Sequence, residues 1–410
     1  MHYYLIAFVA FISYIVYKCY IYPLYLSPLC KIPGPPVDSF ILGHYDSFLS
    51  KQIGEASTRL AKQYVGIHSI FFAHGNSHKR QRKMMHPSFS FANVKEMFPT
   101  FVQAGHNLKD IWMKQTGFNY EFNSTKTTTE LAQAYQTAIM RNPSQVYETI
   151  EGFFPFIKKL PTPNFKRHND AIKVIQNASA KLVDEKKHVT VLGKDLLSLL
   201  VKANENLPVN EQLTNNELLS QVMTLLLAGH ETTSTALSWG LYFLAKNPDA
   251  QDLLRKEILD VLINRDHMPT FEEIEHLKYL ECVFKETLRI VPPFINGYVV
   301  PKGTPMLISI YAIHHDPSIW GDDAEDFNPS RWLDPVIESK VTTSNFLPFS
   351  AGQKSCLGMK MAHLEFEAIL SVIIRNFKFK LVEGFNFETK LLGLSKPIPG
   401  IDLLISKVDY

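Results

Sequence analysis

The longest regular pattern in the chain runs from Thr214 to Lys246. Apolar residues dominate this segment, Thr214 and Glu217 have the spacing of a capping box, and Asn247 and Pro248 follow its last residue. At 1.5 Å per residue, this pattern predicts one helix of about 45–50 Å that ends before Asn247. A helix of that length crosses a whole domain.

Shorter segments carry helical or strand patterns. We expect helices from Asp170 to Lys187 and beyond Asp249, where N-P-D-A is typical of a helix start. Alternating residues predict short strands near Gly297 to Ile310, at Phe377 to Leu381 and near Ile401 to Val408. The predicted fold class is therefore mostly α, an α+β fold with small sheets.

The first 36 residues form a separate region. No charge occurs from Tyr3 to Tyr17, Lys18 follows, and prolines cluster at Ile32 to Pro36. We interpret residues 1–31 as a membrane anchor in which Lys18 snorkels, residues 32–36 as a stiff linker, and residues 37–410 as the main domain. A cleaved signal peptide is the alternative, but no basic residue precedes the apolar stretch and no clear cleavage site follows. The positive charges after the anchor predict a cytoplasmic domain.

Composition excludes few function classes. The 410 residues are 46% hydrophobic, which is enough for a large core, and a net charge of +2 gives no reason to expect a nucleic-acid partner. The four cysteines are Cys19, Cys30, Cys282 and Cys356, and their positions suggest no disulfide framework. This cysteine usage fits a reducing compartment.

The candidate chemistry centres on Cys356, in FSAGQKSCLG from Phe349 to Gly358. Gly352 and Gly358 let the backbone turn and approach a flat ligand, and Phe349 would shield the sulfur from water. The residues after Cys356 have helical spacing, so the sulfur lies at or just before a helix start, where a thiolate is stabilised. Most free cysteines are simply small buried apolar residues. The F-x-x-G-x-x-x-C-x-G pattern favours a metal ligand instead.

This segment resembles the haem-binding loop of the cytochrome P450 family. The resemblance implies a P450-like fold, with a long central helix over a haem and with Cys356 as the thiolate ligand of the iron. One position departs from the family, because Lys354 stands where arginine is usual. Lysine keeps the charge that would meet a haem propionate but loses the bidentate fork, so we expect a weaker contact.

The middle of the predicted long helix carries AGHETT, from Ala228 to Thr233. By resemblance this motif lies over the oxygen-binding face of the haem, with Ala228 and Gly229 beside the cofactor and with Glu231 and Thr232 relaying protons to oxygen. Without the family, a simpler interpretation is that the threonines bond back to helix carbonyls and that Glu231 faces solvent.

Two further segments occur in the family's order, ETLR ending at Arg289 and FNPSRW containing Arg331. Glu286 and Arg289 lie three residues apart in a helix that Pro292 and Pro293 terminate. By themselves they would form a modest surface pair. The resemblance implies that they join Arg331 in a buried network behind the haem, and that loss of one partner impairs folding or haem retention.

A fourth segment, HGNSHKRQRKMM, is strongly basic. A short basic run is most often a solvated face or an anion patch. His78 and Arg82 lie at i and i+4, and so on one helical face. By resemblance this helix lends both residues to the haem propionates.

Several intervals are shorter than in a typical family member. Only 43 residues separate Gly34 from His78, where the family has a sheet, a helix and a substrate-contacting loop. The family also has a further helix before the position of Gly117 and a strand between those of Arg289 and Gly303, and neither has a counterpart in this sequence. Omissions between intact motifs indicate missed or lost exons, so we expect internal deletions in the main domain.

The resemblance implies a haem-thiolate monooxygenase that inserts one atom of O2 into an apolar organic substrate with electrons from an NADPH-dependent reductase. Membrane-anchored eukaryotic members of the family sit on the endoplasmic reticulum, so we expect that location and contact with membrane lipid. An impaired or non-functional P450-like remnant is the alternative that the short intervals favour. A thiolate-haem isomerase is a third, although the acid and alcohol of AGHETT suit oxygen activation better.

Overall fold

The computed structural model describes residues 13–14, 17, 69–70, 73–116, 130, 133–134, 137, 163–187, 195–291, 309–391 and 395–408. Within them the chain is mostly helical and has two small antiparallel sheets, as the sequence predicts. In this part of the chain no helix is long and apolar enough to cross a bilayer. The predicted anchor at residues 1–31 and linker at 32–36 lie almost entirely outside it.

The elements are numbered here in chain order. The helices are α1 Gly75–Met85, α2 Phe91–Thr116, α3 Pro163–Lys187, α4 Leu196–Glu205, α5 Asn215–Lys246, α6 Pro248–Val261, α7 Phe271–Ile274, α8 Lys278–Ile290, α9 Ile310–His314, α10 Pro317–Trp320, α11 Pro335–Lys340 and α12 Met359–Asn376. The strands are β1 Phe377–Leu381, β2 Glu388–Leu391, β3 Ser395–Ile398 and β4 Leu403–Lys407. Strand β1 pairs with β4, with Phe379 opposite Ile405, and β2 pairs with β3.

The long helix predicted from Thr214 to Lys246 is α5. The Thr214 hydroxyl oxygen accepts from the Glu217 N–H, and the Glu217 carboxylate accepts from the Thr214 N–H at 2.9 Å. This is the capping box that the sequence predicts. At the other end Asn247 caps α5 and Pro248 begins α6, which confirms the predicted end.

The other predicted elements are confirmed in part. The predicted helix from Asp170 to Lys187 is the larger part of α3, β1 has the predicted bounds, and β4 lies within the third predicted strand. The strand predicted at 297–310 falls mostly outside the described residues, and its last residue, Ile310, begins α9 instead. The hairpin of β2 and β3 was not predicted.

Helix α12 is the central element of the largest core cluster, and its second half is buried on all sides. A Cβ built on Gly105 of α2 would lie 3.3 Å from the Ile369 Cα, so the two backbones nearly touch. A Cβ on Gly240 of α5 would lie 3.0 Å from the ring of Phe366. Because α12 begins three residues after Cys356, this dense packing fixes the position of the cysteine loop.

A buried charge network joins α8 to the chain that precedes the cysteine loop. Glu286 and Arg289 are fully buried and Arg331 is 4% exposed. Arg289 donates to both carboxylate oxygens of Glu286 at 2.8 Å, and Arg331 Nε donates to Oε1 at 2.9 Å. The indole N–H of Trp332 donates to Oε2 at 2.9 Å. A single carboxylate therefore holds two arginines and an indole.

The remaining donors of the two arginines are also satisfied. Arg289 donates to the carbonyls of His314, Ala324 and Asp326 at 2.6–2.9 Å. Arg331 donates to the Asp323 carboxylate at 2.9 Å, so two cations face two anions. A buried ion network is stable only when its members are paired and hydrogen-bonded in this way.

His314 extends the network towards the cysteine loop. Its ring is fully buried, Nδ1 lies 3.0 Å from the Arg289 carbonyl, and Nε2 accepts from the Leu347 N–H at 2.8 Å. Since Nε2 accepts, Nδ1 carries the proton. Burial lowers the pKa of His314 to about 4. This histidine lies outside the recognised motifs, and no sequence pattern predicts its role.

We expect Glu286→Gln to lower the free energy of unfolding by about 3–5 kcal/mol, because it leaves two buried guanidinium groups with one carboxylate. Urea unfolding measures this loss. Glu281→Gln is the matched control on α8, since Glu281 is half-exposed and pairs with the neighbouring Lys285 at 2.7 Å. That control should cost less than about 1 kcal/mol. Equal small losses in both variants would contradict a network that supports the fold.

The neutral His314 makes stability depend on pH. Its pKa is lower in the folded chain than in the unfolded chain, so the unfolded chain binds the proton more readily and stability falls as the pH drops from 6.5 towards 4. We expect a loss of about 2 kcal/mol between pH 7 and pH 5 from this residue. His314→Gln should flatten that slope in urea titrations, whereas His86→Gln, at an exposed site, should keep it.

Candidate functional site

The cysteine loop, residues 349–358, is closed by its own backbone. The Cys356 N–H donates to the Phe349 carbonyl at 2.9 Å. Ser350 and Gly352 have left-handed φ angles of 59° and 72°, and a 3-10 turn spans Gly352–Lys354. Gly352 therefore permits the turn that the sequence predicts, because a residue with a Cβ adopts this left-handed conformation only at a cost in conformational energy.

Cys356 lies in a recess that is open on one side. The residue is exposed, yet burial among protein atoms raises the pKa of its thiol. The Gly358 N–H bonds to the sulfur and Arg82 lies nearby, and both lower the pKa without offsetting burial. The helix start and the cation therefore act in the direction that the sequence predicts, but burial outweighs them. Coordination to a metal ion would remove the proton.

Gly358 has a smaller steric role than the sequence suggested. It is the N-cap of α12 with a φ of −85°, and a Cβ there would lie 3.9 Å from the Cys356 sulfur and from the Phe89 ring. These are ordinary contact distances, so the protein itself would accommodate alanine. What Gly358 supplies is the N–H that bonds to the sulfur.

Phe349 attaches the loop to the core. Its ring lies 6.3 Å from that of Phe284 on α8, measured between centroids, and it packs against the main core cluster. The ring of Phe284 stacks in turn on His363 of α12 at 4.5 Å. The start of the loop is thereby held between α8 and α12.

The predicted pair His78 and Arg82 lies on α1 and faces this loop. Arg82 donates to the Ser355 carbonyl at 2.8 Å and to the Ser355 hydroxyl at 3.1 Å. His78 is buried, and burial together with Lys354 and Arg82 lowers its pKa, so the ring is neutral near pH 7. Ser355 was missed by sequence reasoning, although a hydroxyl beside the cysteine is a readable signal.

Positive charge accumulates beside the cysteine without a matching acid. Within the described residues no carboxylate forms an ion pair with Arg82 or Lys354, whereas Arg80 of the same helix pairs with Glu217. Burial and the charge of Arg82 lower the pKa of Lys354. A ligand that carries carboxylates would balance these cations.

The centre of α5 is open. Ala228, Gly229 and Thr232 are exposed, and a Cβ built on Gly229 would meet nothing within 4 Å. Leu225, one turn earlier, and Leu357, next to Cys356, both pack against the cluster that contains Met85 and Phe89.

Within the AGHETT motif the structure describes the side chain of Thr232 but only the backbone of Glu231. The Thr232 hydroxyl donates to the Ala228 carbonyl at 2.6 Å, which is the back-bonding interpretation that the sequence left open. The backbone of Glu231 lies in α5, and its side chain lies outside the described residues.

The structure thus brings the exposed cysteine and Arg82 together, and the centre of the long helix has an exposed face. An exposed cysteine sulfur suits a metal ligand, and the open space at Gly229 would accommodate a flat group. Glu286, Arg289 and Arg331 do not face this recess, but they support the loop from behind.

The family model for cytochrome P450 matches residues 27–149 and 128–405. Cytochrome P450 monooxygenase 128 of Postia placenta is 27% identical over 493 aligned positions that include 90% of this chain and 89% of that protein. A ganoderic acid synthetase of Ganoderma lucidum is 28% identical over 77% of this chain and 73% of its own length. Cytochrome P450 734A1 of Arabidopsis thaliana is 27% identical, with 85% and 73% covered.

The alignment with the Postia placenta protein is longer than this chain. Ninety per cent of 410 residues is about 369, so more than a hundred of the 493 positions have no residue of this chain opposite them. The family match nevertheless extends over most of the chain. The chain therefore belongs to the cytochrome P450 family, whose members bind haem through a cysteine thiolate and act in general as monooxygenases.

Proposed function

We propose that this chain is a haem-thiolate monooxygenase that inserts one oxygen atom of O2 into an apolar organic substrate. The observation that carries the proposal is the exposed sulfur of Cys356, beside Arg82, which pairs with no carboxylate among the described residues. The other oxygen atom would leave as water, with electrons supplied by an NADPH-dependent reductase.

The residues of the recess fit haem in three respects. Cys356 offers one sulfur donor, Arg82 offers a positive charge for a carboxylate, and Gly229 leaves space where any side chain would intrude. Haem, when bound, supplies the activation of dioxygen, and a thiolate ligand favours O–O cleavage. The chain orients the substrate, excludes water from the site and delivers protons.

Proton delivery is assigned to the AGHETT turn. The Thr232 hydroxyl now donates to the Ala228 carbonyl at 2.6 Å, and a rotation about χ1 would turn this hydroxyl towards the recess. We place Glu231 in the same relay because a carboxyl one residue away can supply the hydroxyl with a proton. After this rotation the Ala228 carbonyl would accept a hydrogen bond from water in place of the Thr232 hydroxyl.

The cellular setting is proposed from the sequence. The uncharged stretch from Tyr3 to Tyr17 and the positive charges after it favour an anchor in the endoplasmic reticulum membrane, with the main domain in the cytoplasm. An apolar substrate would reach such an enzyme from the surrounding lipid.

A second candidate is a family member that has lost activity. It is favoured by one observation, that more than a hundred positions of the Postia placenta relative have no counterpart in this chain. The motifs around the cysteine are intact, whereas the short intervals fall where the family shapes its substrate pocket. Stable haem binding separates the two candidates.

The first test is the spectrum of the full chain expressed in membranes, reduced and exposed to carbon monoxide. We expect the red-shifted Soret band of thiolate-ligated haem, and its loss in Cys356→Ser, because oxygen is a poor substitute for the thiolate. Cys282→Ser is the control, since this buried cysteine has a pKa raised to about 11 and should leave the band in place. Absence of the band in the unmodified chain would favour the inactive candidate.

The second test addresses the relay. We expect Thr232→Ala to keep the Soret band while the ratio of hydrogen peroxide released to NADPH consumed rises about tenfold, with 7-ethoxycoumarin as a small apolar probe and a reductase added. Ser238→Ala is the matched control, because its exposed hydroxyl bonds to the Ser234 carbonyl at 2.8 Å on the same helix. Unchanged coupling in Thr232→Ala would remove this hydroxyl from the relay.

A further inference from the structure

The cysteine loop is attached to α1 at both ends of that helix. The Lys354 ammonium donates to the carbonyls of Ile70 and Ala73, just before α1 begins. Arg82, in the last turn of α1, donates twice to Ser355. The seven steps from Gly75, where α1 begins, to Arg82 span about 10 Å along the helix, so the two attachments are well separated. Two separated attachments fix an orientation that a single one leaves free.

The acceptors of Lys354 form a small prepared site. The Ala73 N–H donates to the Ser69 carbonyl at 2.9 Å. The carbonyls of Ile70 and Ala73 both accept from the Lys354 ammonium, as free backbone carbonyls near a cationic side chain commonly do. An ammonium group has three donors, and two of them are used here.

This arrangement differs from the expectation drawn from the sequence. Lys354 was expected to meet a haem propionate as a weaker substitute for arginine. In the structure its ammonium instead reaches backbone oxygens 281 and 284 residues away in the chain. A compact ammonium suits two converging carbonyls, whereas the planar guanidinium fork suits a carboxylate.

We propose that Lys354 is a positioning residue that clasps the cysteine loop to the turn before α1 and so keeps Cys356 in place for haem. This inference rests on the proposed function. Together with the Arg82–Ser355 contact, the clasp holds the loop against the whole length of α1. Haem leaves a protein when the loop that carries its ligand opens, and the clasp opposes that opening.

The test separates a clasp from a propionate contact by changing the cofactor. The haem-free chain and its Lys354→Met variant are each reconstituted with haem and with haem dimethyl ester, whose propionates carry no charge. Transfer of the cofactor to excess apomyoglobin gives the rate of loss. Lys79→Met, at an exposed position on α1, is the control.

We expect Lys354→Met to lose either cofactor about tenfold faster than the unmodified chain, with the carbon monoxide band still at the thiolate position. Lys79→Met should match the unmodified chain. If the tenfold difference disappears with the ester, Lys354 acts through a propionate and the clasp is wrong. If Lys354→Met loses both cofactors at the unmodified rate, Lys354 has no positioning role.

Amide hydrogen exchange tests the clasp independently of haem uptake. In the haem-free chain, Lys354→Met should speed exchange at the Ala73 and Ser355 amides at least tenfold, while amides in the centre of α12 stay unchanged. Equal exchange in the variant and the unmodified chain would overturn the clasp. An unmodified chain that binds no haem contradicts the proposed function, and in that case the exchange experiment still decides about the clasp.

Discussion

The position of the cysteine loop depends first on a single buried carboxylate, that of Glu286. It accepts from Arg289, Arg331 and Trp332, and so fastens α8 to the chain between residues 314 and 332. His314 then carries this attachment from the Arg289 carbonyl to the Leu347 N–H. Two residues later the loop begins at Phe349. The network therefore reaches the start of the cysteine loop through a short chain of buried hydrogen bonds.

The loop is restrained on its other sides by different forces. Beyond Cys356 the chain enters α12, whose buried second half cannot shift without opening contacts with α2 and α5. Along α1 the restraint is electrostatic and comes from Arg82 and Lys354. Hydrogen bonds from charged donors, helix packing and buried hydrogen bonds thus restrain the loop that carries Cys356. Because these forces respond differently to salt, pH and volume changes, each can be probed separately.

Local features were predictable from the sequence because their causes are local. The capping box at Thr214 needs only residues three apart, and the alternation that predicted β1 spans five residues. The network around Glu286 was predicted only through the resemblance to the P450 family, since Arg331 lies 45 residues from Glu286.

Features that depend on distant segments were missed or wrong. The partners of Lys354 lie more than 280 residues away, and no periodicity connects them. The direction of the Cys356 pKa is the balance between burial and nearby charge, and burial is a property of the packed chain. His314 took its role from two backbone groups, at Arg289 and Leu347, that meet only after folding.

The two interior glycines of α5, Gly229 and Gly240, have different surroundings. At Gly240 a side chain would press on Phe366, so the core itself requires glycine. At Gly229 a Cβ would meet nothing within 4 Å, and glycine there costs the helix about 1 kcal/mol relative to alanine. No contact of that Cβ explains the cost. Alanine at this position should therefore raise thermostability while it fills space on the exposed face of α5.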